Sequence, residues 1–251
     1  MKIAIIGGGG KMGRWFSRQF LSEEHEVTVS DTNQESLSYY QRESGVQIAP
    51  GNTEAVKGAK VILLSVPIDR FEAVVKEISA SVHPEQVVLD VTSVKVAPVE
   101  AMHRYLRTPL ILGTHPVFGP GAVSFSGHSF VLTPTNETEK ALAEKVKTYL
   151  EARGAGVSLM TPEEHDRLMS VVLGLAHFIA IVSAETLVGF GGLEKLKAVG
   201  GVTYKALLTL IESVISEDPS LYASLQMSLP NMTEIHELFL KSAGRWRDLV
   251  K

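Results

Sequence analysis

The chain opens with an apolar run, Lys2–Ile6, that stops at four consecutive glycines, Gly7 to Gly10, and gives way to a helical pattern over Met12–Leu21. The same alternation recurs down the first part of the chain. Short runs rich in β-branched residues at Glu26–Ser30, Lys60–Ser65, Gln86–Asp90, Leu110–Gly113 and Phe130–Thr133 predict strands. The 3.6-residue periodicity predicts helices over Gln34–Glu43, Arg70–Ile78, Pro98–Leu106 and Glu137–Arg153. Strands alternating with helices read as βαβ units building a parallel sheet. Runs such as Val61–Val66 suit strands covered on both faces, because their apolar residues are consecutive rather than alternating.

From Thr161 onward the pattern is helical only, over 161–188, 194–215, 218–228 and 231–249. Thr161-Pro162-Glu163-Glu164 is a capping box, with Thr at the N-cap, Pro at the first helical position and Glu at the third. The helix it starts carries apolar residues at Leu168, Val171, Val172, Leu175, Ile179 and Val182. Leu173, Phe178 and Ile181 extend them nearly all round. Such a helix is expected to be buried on every side, in part by a second subunit. The division expected is therefore a sheet domain over 1–156 and a helical domain over 157–251.

Composition narrows the function classes. The chain is 45% hydrophobic and 21% charged, with net charge −4, which gives no reason to expect nucleic acid or an anionic membrane as partner. It holds no cysteine, so disulfides, thiolate nucleophiles and Cys-ligated zinc are excluded. The longest nearly apolar run, Val171 to Ala184, is interrupted by His177 and Ser183 and falls short of the roughly 20 residues a membrane span needs. A cytoplasmic protein with no membrane partner is expected.

Gly8-Gly9-Gly10-Lys11-Met12-Gly13 fits G-x-G-x-x-G between a strand and a helix, and Asp31 ends the next strand. In a dinucleotide site the first glycine makes the tight turn, the second lets a pyrophosphate approach, and the third lets helix and strand pack closely. Asp31 would accept hydrogen bonds from the ribose hydroxyls and repel a 2′-phosphate. No Lys or Arg lies between Asp31 and Arg42 to receive one, which favours NAD over NADP. Ser65, Val66 and Pro67, at the end of a further strand, are counted with the glycine loop as cofactor-binding. The fold class expected is α/β, a Rossmann-type doubly wound parallel sheet followed by an all-helical dimerisation domain.

Two segments put polar residues directly after apolar strands, where open parallel sheets hold their ligands. One carries Ser93 and Lys95; the other carries His115 in a loop shaped by Pro116, Gly119, Pro120 and Gly121. Hydride transfer from an alcohol needs a group to take the hydroxyl proton, and histidine, with an ordinary pKa near ~6.5, suits that role. A serine within reach could orient the imidazole or the hydroxyl. The spacing alone leaves open that His115 is a loop histidine satisfying backbone carbonyls.

Together, "IIGGGGKMGRWF", "DVTSVK", "GTHPVFGPG", "EEHD" and "SEDPSLYASLQMS" resemble the prephenate/arogenate dehydrogenase family of tyrosine biosynthesis, along essentially the whole chain. The resemblance implies a nucleotide-binding domain, a helical dimerisation domain that makes a homodimer, and substrate held in the cleft between them. It implies NAD-dependent oxidative decarboxylation of prephenate. Hydride leaves the ring carbon bearing the hydroxyl, and carbon dioxide is then lost as the ring becomes aromatic. It places at His115 the histidine that polarises the ring hydroxyl, at Ser93 the serine that supports it, and at His177 a substrate-contacting histidine. Read by itself, His177 on an apolar helix is more often a hydrogen-bonded core residue. Glu163, Glu164, His165 and Asp166 are explained by the cap and the helix dipole rather than by a metal site, so no metal is expected.

One departure from the family pattern stands out. Many members have an arginine five residues before the Asp-Pro matching Asp218-Pro219, where it holds a substrate carboxylate; here that position is Ser213. A dianionic substrate still needs cations, and Lys205, Lys95, Arg245 or a residue of the other subunit could supply them. Arogenate or a related cyclohexadienyl acid stands beside prephenate as substrate. A β-hydroxyacid dehydrogenase is a further alternative, disfavoured because no lysine follows the start of the helical half until Lys195. A non-catalytic NAD-binding sensor is the last.

Overall fold

The computed structural model describes residues 1–42, 45–216 and 218–251. The chain divides into two compact units, Met1–His165 and Asp166–Lys251.

The first unit is built on one sheet of eight strands: β1 (Lys2–Ile6), β2 (Glu26–Ser30), β3 (Val46–Ile48), β4 (Val61–Leu64), β5 (Val87–Asp90), β6 (Ile111–Pro116), β7 (Ser129–Thr133) and β8 (Gly156–Leu159). Their spatial order is β3-β2-β1-β4-β5-β6-β7-β8. Every neighbouring pair is parallel except β6 with β7. The order reverses between β1 and β4, the crevice where ligands settle in such sheets. Along β1, Ile3 and Ile5 join one core cluster with Trp15 and Phe16, while Ala4 and Ile6 join another with Val56, Ile62 and Phe71. Both faces of the strand are therefore covered, which is why its apolar residues run without alternation.

The helices of this unit are α1 (Lys11–Ser22), α2 (Gln34–Leu37), α3 (Asn52–Val56), α4 (Ile68–Ile78), α5 (Val96–Tyr105) and α6 (Glu137–Glu151). The helix expected over Gln34–Glu43 is a single α turn continued by a 3₁₀ stretch, Ser38–Arg42; Glu43 lies outside the described residues, as does Glu217. Two strands were not legible in the pattern. β3 is three residues at the sheet edge, and β8 is mostly exposed, so neither carries an apolar signature. The boundary expected after residue 156 falls at the start of β8, and pairing with β7 keeps that strand in the sheet unit.

A third difference concerns His115. It was expected in a loop after a strand ending at Gly113, but β6 runs on to Pro116 because the antiparallel neighbour β7 pairs Thr114 with Leu132 and His115 with Val131. His115 is therefore a strand residue, 4% exposed.

The chain continues through α7 (Pro162–Met169), a π-helical turn (Ser170–Leu175), α8 (Ala176–Phe190), α9 (Leu193–Val199), α10 (Val202–Ile215), α11 (Pro219–Ser228) and α12 (Met232–Leu249). Thr161 caps α7 as expected, its hydroxyl accepting the N–H of Glu164 at 3.1 Å. The expected 194–215 helix breaks at Gly200-Gly201. The expected burial of the 161–188 helix is not met within one chain: Val171, Val172, Ile181 and Val188 are exposed. Among the described residues, one internal apolar cluster of the helical unit is Ala180 with Val214 and Tyr222.

Candidate active site

The glycine loop leaves β1 at the crevice. Gly7 has φ +78°, and a Cβ there would lie 2.2 Å from the Ser65 carbonyl, so the left-handed turn falls one residue before the glycine expected to make it. A Cβ on Gly13 would lie 2.4 Å from the Gly7 carbonyl, which is the close helix–strand approach expected of the third glycine. α1 begins at Lys11 with Gly10 as N-cap, no side-chain cap and no acid in its first turn. Its positive end is thus left available to an anion from outside the protein. Ser65, Val66 and Pro67 follow β4 across the crevice, and Ser65 and Val66 lie within 3.0 Å of the Cβ position of Gly7.

Asp31 follows β2 and is half-buried. Its Oδ2 accepts the Gly9 N–H at 3.0 Å and its Oδ1 the Asn33 N–H at 2.9 Å. Two anchored oxygens still have lone pairs for a ribose diol. Loop, helix end and carboxylate together fit a dinucleotide.

On the same edge of the sheet, Asp90 ends β5 and is fully buried. Oδ1 accepts from Thr92 N (2.9 Å), Thr92 Oγ1 (2.6 Å) and Lys95 Nζ, and Oδ2 accepts from Thr114 N. Lys95 Nζ also donates to the Thr114 carbonyl at 2.6 Å. This knot ties the β5–α5 turn to the end of β6. Lys95 is 0% exposed, and its ammonium is spent on Asp90 and Thr114. Lys95 was expected to meet a substrate carboxylate; releasing it for that would strand the buried Asp90 charge. Ser93 sits half-buried in the same turn.

His115 Nδ1 lies 2.8 Å from Nε2 of His165, which is 0% exposed, with the two rings edge to face at 5.0 Å. Burial, then the neighbouring His165, then the Lys95 ammonium push the His115 pKa well below the usual imidazole value. His115 is consequently neutral at pH 7 and can accept a proton. His165 was missed in the sequence, where it counted as part of a polar first turn. The signal was there: it stands four residues before the buried Met169, on the inward stripe of α7.

In the helical unit, His177 is half-buried against Tyr222, ring centroids 4.8 Å apart. Its Nδ1 is buried with no partner, and burial lowers its pKa. A core histidine would have that hydrogen bond, so the plain structural reading of His177 loses its main support. The π turn just before it frees the Gly174 carbonyl to accept from Gln226 Nε2 at 2.8 Å, and Gln226 Oε1 lies 3.1 Å from His236 Nε2. Lys205 is exposed on α10, as is Ser213.

Comparison with known proteins fits this architecture. The family model for the prephenate dehydrogenase nucleotide-binding domain matches residues 18–159, and that for the prephenate dehydrogenase dimerization domain matches residues 161–251. A probable arogenate/prephenate dehydrogenase of Methanocaldococcus jannaschii is 32% identical over 100% of this chain, which spans 57% of that relative's own length. Among solved structures, prephenate dehydrogenase from Aquifex aeolicus, crystallised with hydroxyphenyl propionate and NAD+, superposes with a TM-score of 0.81 at 24% identity, covering 100% of this chain and 90% of that one. Arogenate dehydrogenase from Synechocystis superposes with a TM-score of 0.71 at 19% identity, over 99% of this chain and 95% of that one. With both family domains matched in order along a sheet unit and a helical unit, the chain belongs to the prephenate dehydrogenase family.

Proposed function

We propose that the chain carries out NAD-dependent oxidative decarboxylation of prephenate, with His115 as the group that takes the ring hydroxyl proton. The observation that carries the reading is the buried, neutral His115 with Nδ1 engaged by His165. A neutral imidazole has one N–H and one bare nitrogen. If Nδ1 donates to His165 Nε2, the bare nitrogen is Nε2, and that atom accepts the substrate proton. Bound NAD supplies the hydride acceptor. As hydride leaves the carbon bearing the hydroxyl and the proton passes to Nε2, the ring becomes a dienone with a carboxylate on its para carbon. That carbon–carbon bond then breaks, releasing carbon dioxide, and its electrons complete the aromatic ring.

The glycine loop, Lys11, Met12 and the α1 N-terminus hold the pyrophosphate; Asp31 takes the adenosine ribose; Ser65, Val66 and Pro67 line the other side of the crevice. Ser93 steadies the hydroxyl or the imidazole, and His177 is a substrate-contacting residue. Lys205 and Arg245, both exposed, are this chain's remaining candidates for a substrate carboxylate, since Ser213 offers no charge and Lys95 is committed to Asp90. The reading includes a homodimer formed through the helical unit, whose apolar helix Pro162–Phe190 is long enough to span a bilayer by length and composition, while only 11% of its apolar 18-residue window is buried within one chain. A second copy is the cover that fits the dimerization-domain match.

The second reading, arogenate, is favoured by the arogenate/prephenate relative. NADH formation by the purified chain with NAD and, separately, each of the two acids decides between them. Prephenate turning over well above arogenate is expected. No reduction with either, alongside intact NAD binding, would leave the family fold without the proposed reaction.

A further inference from the structure

The π turn Ser170–Leu175 ends just before His177, the second residue of α8. A π turn bonds i to i+5, one residue more than an α turn, so it rotates the helix after it by about 100° against the helix before it. The direction in which α8 presents His177 is therefore set by this turn. π turns are rare and need holding, and here the neighbouring helices press on it. A Cβ at Gly174 would lie 2.5 Å from Sδ of Met232, at the start of α12, and the Ser170 hydroxyl donates to the Pro230 carbonyl at 2.8 Å.

Gln226, on α11, takes the carbonyl that the turn sets free. Its Nε2 donates to the Gly174 carbonyl at 2.8 Å. A carbonyl only accepts, so the amide nitrogen faces Gly174 and Oε1 is left to accept from His236 Nε2 at 3.1 Å. The His236 ring in turn stacks on Phe178, the residue after His177, with centroids 4.1 Å apart and planes 21° apart. Tyr222 stands four residues before Gln226, on the same face of α11, and meets the His177 ring nearly at right angles. One stripe of α11 thus grips the turn through Gln226 and the imidazole through Tyr222. What it leaves bare is His177 Nδ1, buried and unpartnered. Such an atom is costly to keep, and a ligand group would satisfy it.

We infer that Gln226 is a positioning residue: by pinning the π turn through the Gly174 carbonyl, it aims His177 and keeps Nδ1 open for substrate. The inference rests on the reading of His177 as a substrate-contacting residue.

The test joins a spectroscopic and a kinetic readout on the full chain. Gln226→Met keeps the length of the side chain and removes both of its hydrogen bonds. In protein carrying isotope-labelled histidine, the His177 ring signal is identified by its loss in His177→Ala. The adjacent Tyr222 ring displaces that signal, and Gln226→Met is expected to move it back or broaden it. The KM for whichever of prephenate and arogenate turns over is expected to rise about tenfold in Gln226→Met, with kcat and the KM for NAD little changed. On a His177→Ala background the same substitution is expected to leave KM unaltered, because its effect passes through the imidazole. An unmoved signal, an unchanged KM, or a rise that persists on the His177→Ala background overturns the inference and leaves Gln226 a packing residue. Turnover of neither acid, or a His177→Ala variant with unchanged KM, overturns the inference together with the reading beneath it. Those outcomes are distinct because they precede any change at Gln226.

Discussion

The two units of the chain bury their apolar residues in different ways. In the sheet unit, β1 and β4 are covered on both faces, Trp15 and Phe71 are enclosed, and even the Lys95–Asp90 pair is wrapped in hydrogen bonds. In the helical unit, Val188, Phe190, Val199 and Val202 stand more than three-quarters exposed. Exposed apolar residues that join into a large patch mark an association site. The lesson is that an apolar helix in a sequence announces burial without saying by what. One unit completes its core from its own chain; the other leaves apolar helix residues exposed within one chain.

The sharpest way to break this comparison is to separate chemistry from assembly. His115→Ala is expected to lower kcat about 10³-fold, within the range for losing a general base, while NAD affinity stays close to wild type. A loss smaller than tenfold would move the chemistry away from the sheet unit.

His165→Phe tests the support of that base and is expected to lower kcat about 10²-fold. It also has a pH signature. His115 is held below the ordinary imidazole value of ~6.5, so its active neutral form persists on the acid side and the acid limb of the wild-type rate profile lies below that value. His165 is one cause of the depression, so removing it shifts the limb upward while the apolar ring maintains burial. A drop in kcat with an unmoved limb would make His165 a packing residue only. The same depressed group adds stability that is fully present above the unfolded value and is lost as pH falls from ~6.5 through the folded value.

Val188→Glu addresses the other unit. Charging the centre of an apolar interface is expected to weaken self-association about 30-fold, read by sedimentation, with NAD affinity unchanged. Unaltered mass at working concentration would sink the idea that this face is covered by a second copy. Of comparable size is the effect expected of Gly13→Ala, which forces a methyl to within 2.4 Å of the Gly7 carbonyl and should cost about 1–3 kcal/mol by chemical denaturation. Tolerance of that methyl would mean that the loop is looser than its geometry indicates.

Much of this was legible before any coordinates. Consecutive apolar residues in Lys2–Ile6 and Val61–Leu64, the glycine spacing, and Thr161 ahead of Glu164 depend only on neighbours in the chain. Local rules therefore read them correctly. The end of β2 before Asp31 was located for the same reason, whereas His115 was read as a loop residue and the boundary was set at the start of β8. What local rules could not see are contacts between residues distant in sequence: β7 drawing His115 into a strand, Asp90 claiming Lys95, His165 closing on His115 across 50 residues, and Arg14 reaching the loop after β2. By itself the sequence determined where most of the strands and helices and the glycine loop begin, because propensity, capping and glycine sterics act over a few residues. Only the tertiary structure decided which ionisable groups are spent on one another, because burial and hydrogen bonding depend on which distant segments the sheet brings side by side.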